Sequence, residues 1–345
     1  MFVHMLSISL WMSLLYWFST SISADQNASV NGGKDELITV YSSRKEHLIK
    51  PLFETFTDDT GIDIQYITDK AGPLMARLQA EGRSTRADML MTVDAGTLWK
   101  ASREGLLRPI QSAALERSVP NHLRSPNNDW FGLSVRARTI VYATERVRPQ
   151  QLSTYEALAD DQWRGRLCLR TAKKIYNQSL IATMIDNLGM ARAEAIVKGW
   201  VDNLATPPHA KDSQAMAAVI AGQCDITLVN TYYVARLLDK KPDAKLAIFW
   251  PNQKDRGVHV NISGAGITRH AKNPAAAQKL LEWLADEKAQ AVFAALNREY
   301  PVNSAVKPSA TVAAWGAFKE DKINVAAAGR LQADAVKLMD RVGYK

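Results

Sequence analysis

The sequence predicts an α/β protein made of two lobes, and three observations predict it. Strand-like and helix-like segments alternate three times between Leu37 and Leu107. A long, mostly apolar strand in "SPNNDWFGLSVRARTIVYATERV" then breaks that rhythm. Alternation resumes after it and gives way to helices from Pro274 onward. Alternating strands and helices signal a parallel sheet covered by helices, and an interruption followed by a second series signals a second such unit.

The elements follow in order. "ELITVYSS" reads as a first strand. In "EHLIKPLFETFTDDTG", Leu48, Ile49, Leu52, Phe53 and Phe56 share one helical face. Pro51 fits only a first turn, so the helix is expected to begin near Lys45 to His47, and Gly61 to end it. "IDIQYIT" is a second strand, and "AGPLMARLQAEG" a second helix closed by Gly82. "ADMLMTV" and "AGTLWKASREGLL" are the third pair. Past the long strand come a strand in "WRGRLCLRT", about two helices in "NQSLIATMIDNLGMARAEAIVKGWVDNL" and a helix in "KDSQAMAAVIAGQ". The strand of "CDITLVN" runs into the helix "TYYVARLLDKK"; "AKLAIFWPNQ" and "GVHVNISGAGITR" supply further strands. No internal repeat and no low-complexity segment is visible.

Composition narrows the function classes. The 345 residues are 47% hydrophobic and 23% charged, which suits a packed core rather than disorder. The net charge of +8 comes from basic residues scattered singly and in pairs, with no basic run interleaved with aromatics, so nucleic acid is not an expected partner. Residues 1–24, "MFVHMLSISLWMSLLYWFSTSISA", carry no Lys, Arg, Asp or Glu. Their apolar core of about 13 residues is short of the roughly 20 that a membrane span needs, and small residues ending at Ala24 follow it. This favours a cleaved signal peptide over an uncleaved anchor. For an exported chain, Cys168 and Cys224 suit a disulfide, the alternative being two buried thiols.

Most of the motifs that mark catalysis are missing: no GxxxxGK[ST], no GxGxxG after a strand, no GxSxG, HExxH or CxxC. The six histidines are widely spread, and His122, His209 and His270 read as surface residues. An enzyme is unsupported. Ligands of open α/β sheets bind beyond the carboxyl ends of strands. The candidate loops are therefore "YSSRKEH", "TVDAG", "RTAKKIYNQS" and "VNTYY". The last places Tyr232 and Tyr233 side by side where a strand becomes a helix. Neighbouring helical residues point about 100° apart, so two tyrosines there rarely share one core slot. Phenolate is a hard anionic donor with a free pKa of about 10, and a highly charged cation such as iron(III) can displace its proton.

"VYSSR", "WFGLSVRARTIVY", "YNQSL", "VNTYY" and "WPNQKDRGVHVNISGAG", in this order, resemble the periplasmic ferric-iron-binding proteins of bacterial iron(III) ABC transporters, from about Leu37 to the C-terminal "GYK". The resemblance implies a two-lobed, hinged periplasmic-binding-protein fold (type II) with iron(III) held in the interlobe cleft. It implies lobes of residues 37–137 with 261–312 and 138–260 with 313–345. The implied ligands are Tyr176, Tyr232 and Tyr233. The implied partners are iron(III), a possible synergistic anion and an inner-membrane ABC permease, for a monomer in the periplasm. Many relatives carry His or His-Tyr after "YSSR"; here Lys45 and Glu46 stand there, with His47 next. Val93 occupies the place of a carboxylate ligand in some relatives, with Asp94 beside it. Glu46 and His47 are thus candidate substitutes, and Arg136 is a candidate for holding an anion or a phenolate oxygen, against a structural salt bridge. Arg236, one turn after Tyr233, is a similar candidate, whereas Tyr41 is expected to pack at its strand end. Two other readings remain: a carrier of an organic solute such as a phosphonate or polyamine on the same fold, and an exported enzyme.

Overall fold

The computed structural model describes residues 37–345; the expected signal peptide lies outside the described residues. The first three alternations form as read. Strand β1 (Leu37–Ser42) pairs in parallel with β2 (Asp63–Thr68) and β3 (Met89–Thr92). Helices α1 (Lys50–Thr60), α2 (Ala71–Glu81) and α3 (Ala95–Arg103) connect and cover them. Helix α1 starts later than expected. A 3-10 turn over Glu46–Leu48 comes first, and Pro51 then sits in the first turn, where its missing N–H costs nothing. Gly61, at φ 71°, ends it in the left-handed conformation.

After the short helix α4 (Ala113–Ser118), the long strand is β4 (Phe131–Ala143), all 13 residues of it buried. Then come β5 (Leu167–Cys168), α5 (Ile175–Leu188), α6 (Met190–Asp202), α7 (Asp212–Ile220), β6 (Ile226–Asn230), α8 (Thr231–Lys240) and β7 (Leu246–Phe249). Strand β8 (Val260–Ile267) is followed by α9 (Pro274–Ala285), α10 (Glu287–Asn297) and β9 (Tyr300–Pro301). Helices α11 (Ala310–Ala313), α12 (Ala327–Arg330) and α13 (Gln332–Arg341) complete the chain.

The main path of the sheet runs β2-β1-β3-β8-β4-β6-β5. The parallel order foreseen for the first unit therefore holds only up to β3: β8 enters antiparallel between β3 and β4. Glycine permits that entry. A β carbon on Gly264 would press into the Phe131 carbonyl, and one on Gly266 into that of Asp129.

Strand β4 serves two layers. Its first half, Phe131–Ala137, pairs with β8, and Ser134 and Val135 also pair with β9. Its second half pairs with β6 through Arg138–Tyr142 and with β7 through Ile140–Ala143. One core gathers Ile38, Leu52, Phe56, Leu90, Phe131, Ile262 and Phe293. Around the second half the period-2 alternation of a strand separates two clusters. Ile140 and Tyr142 pack with Trp163, Ile181, Trp200 and Leu338 on one face. Val141 and Ala143 pack on the other with Val219, Val234 and the two cysteines. Cys168 and Cys224 are joined in a disulfide. Among the described residues no helix is long and apolar enough to cross a membrane.

Candidate functional site

Three of the four candidate loops, together with Val93 from the fourth, line one cavity of about 490 Å³. Tyr176 lies in the first turn of α5, and Tyr232 and Tyr233 in the first turn of α8, directly after β6 ends. All three line the cavity. The tandem rings lie 4.4 Å apart between centroids and are tilted 37° to one another. Tyr176 is 9% exposed and Tyr232 5%. Helix N-termini carry partial positive charge, so both first turns favour a phenolate over a neutral ring.

The surroundings are strongly basic. Among the described residues, seven lysines and arginines line the cavity (Arg44, Lys45, Arg136, Arg170, Lys174, Lys211 and Arg236), against one carboxylate, Glu299. Three cations face the ring of Tyr176: Lys174 Nζ at 4.6 Å, Arg170 at 5.5 Å and Arg136 at 5.8 Å from its centroid. The Arg236 guanidinium lies 5.0 Å from the ring centre of Tyr232. Burial pushes both buried phenols above the ordinary tyrosine value. Arg136 counteracts this at each; the phenols of Tyr176 and Tyr233 add to it at Tyr232, whereas at Tyr176 the Tyr233 phenol adds and a hydrogen bond with Tyr232 subtracts. The Lys174 ammonium is pushed down, by burial and then by Arg170.

Two buried carboxylates hold this basic wall in place. Glu299 accepts from Arg44 Nη1 at 3.2 Å, lies 3.6 Å from Arg136 Nη1 and receives the Ser134 hydroxyl. Although burial disfavours the charge on Arg136, Glu299 and the phenols hold its pKa above the ordinary arginine value. Asp212 accepts from Arg138 at 3.2 Å and from Arg170. The C-terminal Tyr344 braces the same loop: its hydroxyl donates to the Arg170 carbonyl at 2.6 Å and accepts from Asn177 Nδ2 at 2.8 Å.

The structure brings together Tyr176, Tyr232, Tyr233, His47 and Arg136, and does not bring Glu46. Glu46 is exposed and accepts from the Tyr66 hydroxyl at 3.0 Å. Arg136 forms the salt bridge foreseen as its structural alternative, with Glu299, while its guanidinium faces the ring of Tyr176. Asp94 is turned away. It caps α3, accepting from Gly96 N at 2.7 Å, and also accepts from Ser179 Oγ at 2.9 Å and Asn261 Nδ2 at 2.7 Å. Tyr41 is buried and donates to Glu81 at 2.9 Å. His122, His209 and His270 are half-buried rather than fully exposed, and His122 lies 3.1 Å from Glu320. Among the described residues no group of three or more His, Cys, Asp or Glu is placed to hold a metal ion, so a metal in this cavity would take phenols as its donors. Glu299, Asp212 and Lys211 were not singled out from sequence. They lie among helix ends without a motif, and only the fold brings them to the wall.

Residues 52–320 match the family model for bacterial extracellular solute-binding proteins. An iron uptake protein of a Synechocystis species is 42% identical over 329 residues, spanning 94% of this chain and 91% of its own. A Trichodesmium protein solved in complex with iron and citrate ligands is 46% identical, with a TM-score of 0.86 over 90% of this chain and all (100%) of that one. The apo ferric ion-binding protein A of Pasteurella haemolytica is 37% identical, with a TM-score of 0.83 over 90% of this chain and 98% of that one. The α/β, two-lobed periplasmic-binding-protein fold expected from the sequence is the fold these neighbours share. A cavity shaped for a small solute, on a fold matched over most of its length, has one consistent assignment: the chain belongs to the bacterial extracellular solute-binding proteins.

Proposed function

We propose that this protein binds iron(III) in its cleft through Tyr176, Tyr232 and Tyr233, together with a small anion, and delivers it in the periplasm to an ABC permease. The observation that carries this reading is the convergence of three phenols from two helix N-termini into one cation-lined cavity. Three phenolates cancel the three charges of iron(III), and a neutral centre is the form a closing cleft can bury most readily. The lysines and arginines left over suit an anion that fills the remaining coordination positions. The relatives named for iron uptake and ferric ion binding support the cargo, and the iron and citrate complex of the Trichodesmium protein supports the anion. The lobes are assigned as residues 37–137 with 261–312 and 138–260 with 313–345, closing on the cargo by hinge motion.

Titration of the purified protein with iron(III) citrate should produce a visible iron–phenolate charge-transfer band that saturates at one iron per chain. A colourless protein with no saturable binding refutes the reading.

The basic lining favours one second reading, an oxyanion such as a phosphonate as the sole cargo. It would bind without colour. The same lining opposes a polyamine, whose charge it would repel.

A further inference from the structure

Helix α10 ends on an arginine in a conformation that helices normally give to glycine. Arg298 lies at φ 58° and ψ 27°, the left-handed region, which L side chains disfavour. Such outliers persist where the surroundings impose them, and they point to function. The turn sends three successive residues to different partners. The Asn297 carbonyl accepts from Arg236 Nη2 at 3.3 Å. Arg298 Nε donates to Asp239 Oδ2 at 2.9 Å. Glu299 turns the opposite way, into the cavity, onto Arg44 and Arg136.

The first two contacts both land on α8, the helix that carries the tandem tyrosines. They join separate cores, since Phe293 of α10 packs in the first core and Val234 of α8 in the disulfide-bearing cluster. This bridge is polar and thin. The elbow also stores an imperfection: Asn297 is fully buried, yet neither Oδ1 nor Nδ2 of its amide has a partner among the described residues. An unpaired buried amide is disfavoured, and a second arrangement of the elbow could relieve it.

We propose that the Asn297–Glu299 elbow is a latch across the cleft. Arg298 and Asn297 hold the tyrosine-bearing helix from the rim, and Glu299 holds the cavity arginines from within. Arg298 and Glu299 are positioning residues. The elbow sets how long the cleft stays closed over its cargo, and the phenols set what the cargo is.

The test is Arg298→Gly, which removes the ion pair while giving the turn its preferred residue, so folding is preserved. The pair is half-exposed, and such pairs contribute little, so loss of iron(III) to a chelator should accelerate about two- to fivefold. The visible band should not move, because no donor is touched. Small-angle scattering should give a larger radius of gyration for the variant than for the parent, in the iron-free state, the iron-loaded state or both. The exchanged pair, Arg298→Asp with Asp239→Arg, should return both readouts to parental values. Parental release together with equal radii in both states overturns the latch, and so does a defect that the exchanged pair leaves unrepaired. The release measurement rests on the iron(III) reading. If the parent itself binds no iron, that reading fails, and the radii alone decide the latch.

Discussion

Replacing Tyr232 with phenylalanine removes one oxygen and leaves the ring, and the structure separates its two consequences. The hydroxyl is loosely held by the protein: Asn230 Nδ2 donates to it at 3.4 Å, the long edge of a hydrogen bond, and its other neighbour is the Tyr176 phenol. Burial and the phenols of Tyr176 and Tyr233 raise its pKa well above the ordinary value, so it is neutral at physiological pH and no ion pair is lost. Its removal should cost folding no more than about 1 kcal/mol, a shift in the thermal midpoint of a few degrees at most. Cargo binding should respond on another scale. Loss of a group that merely orients a metal ligand typically weakens affinity about 10- to 100-fold, so loss of a donor itself should exceed about 100-fold. Competition against a chelator, read through the visible band, measures this, and thermal denaturation of the iron-free protein provides the control. Parental colour and affinity within tenfold of the parent would remove Tyr232 from the ligand set. A collapse of the thermal midpoint would show instead that the hydroxyl serves the fold.

Binding should also release about three protons per iron, because each phenol must ionise. Affinity should rise with pH, and calorimetry in buffers of different ionisation enthalpy counts the protons; release near zero contradicts phenolate ligation. His259 is buried neutral with its pKa lowered to about 3, by burial first and then by Arg138 and other arginines. Its contribution is present above the unfolded-state value near 6.5 and is lost as pH falls towards 3, by about 1.4 kcal/mol per pH unit. Thermal midpoints measured between pH 6.5 and 4 should fall, and His259→Gln should flatten that fall. Reducing the Cys168–Cys224 bridge, which spans 56 positions, should cost about 4 kcal/mol in the chain-entropy account. A midpoint insensitive to reductant would count against it.

The parts of the fold legible in sequence were those fixed by local pattern. Period-2 and period-3.6 stretches placed β1 to β3 with their helices, and Gly61 and Gly82 marked helix ends. The strand-to-helix joint at Asn230 placed Tyr232 and Tyr233. What local pattern cannot encode is which distant strand fills a gap. The entry of β8 beside β4 depends on Gly264 meeting the Phe131 carbonyl, a contact between segments far apart in the chain. The site divides the same way. Its phenols come in recognisable runs, and the loop "RTAKKIYNQS" follows a strand, where ligands of open α/β sheets bind. Glu299, the one acid in a wall of bases, follows an ordinary helix end, and nothing near it in sequence announces its partners Arg44 and Arg136. Asp94, a carboxylate where one might serve a metal, is committed to the N-terminus of α3, which adjacency alone does not disclose.

The sharing of β4 between two layers also bears on how the molecule is made. A ribosome produces β1, β2 and β3 early, but the edge of β3 that must pair with β8 has no partner until Gly264 to Ile267 have been synthesised. By then the segment that supplies Trp163, Ile181 and Trp200 to another core has already emerged. The first sheet is therefore completed late, although its first residues are made early, and neither half can be cut from the gene as a contiguous piece and expected to fold alone. Such long-range pairing is slow to form, because loop closure must precede the contacts that stabilise it. The nascent chain consequently spends its synthesis with an open sheet edge.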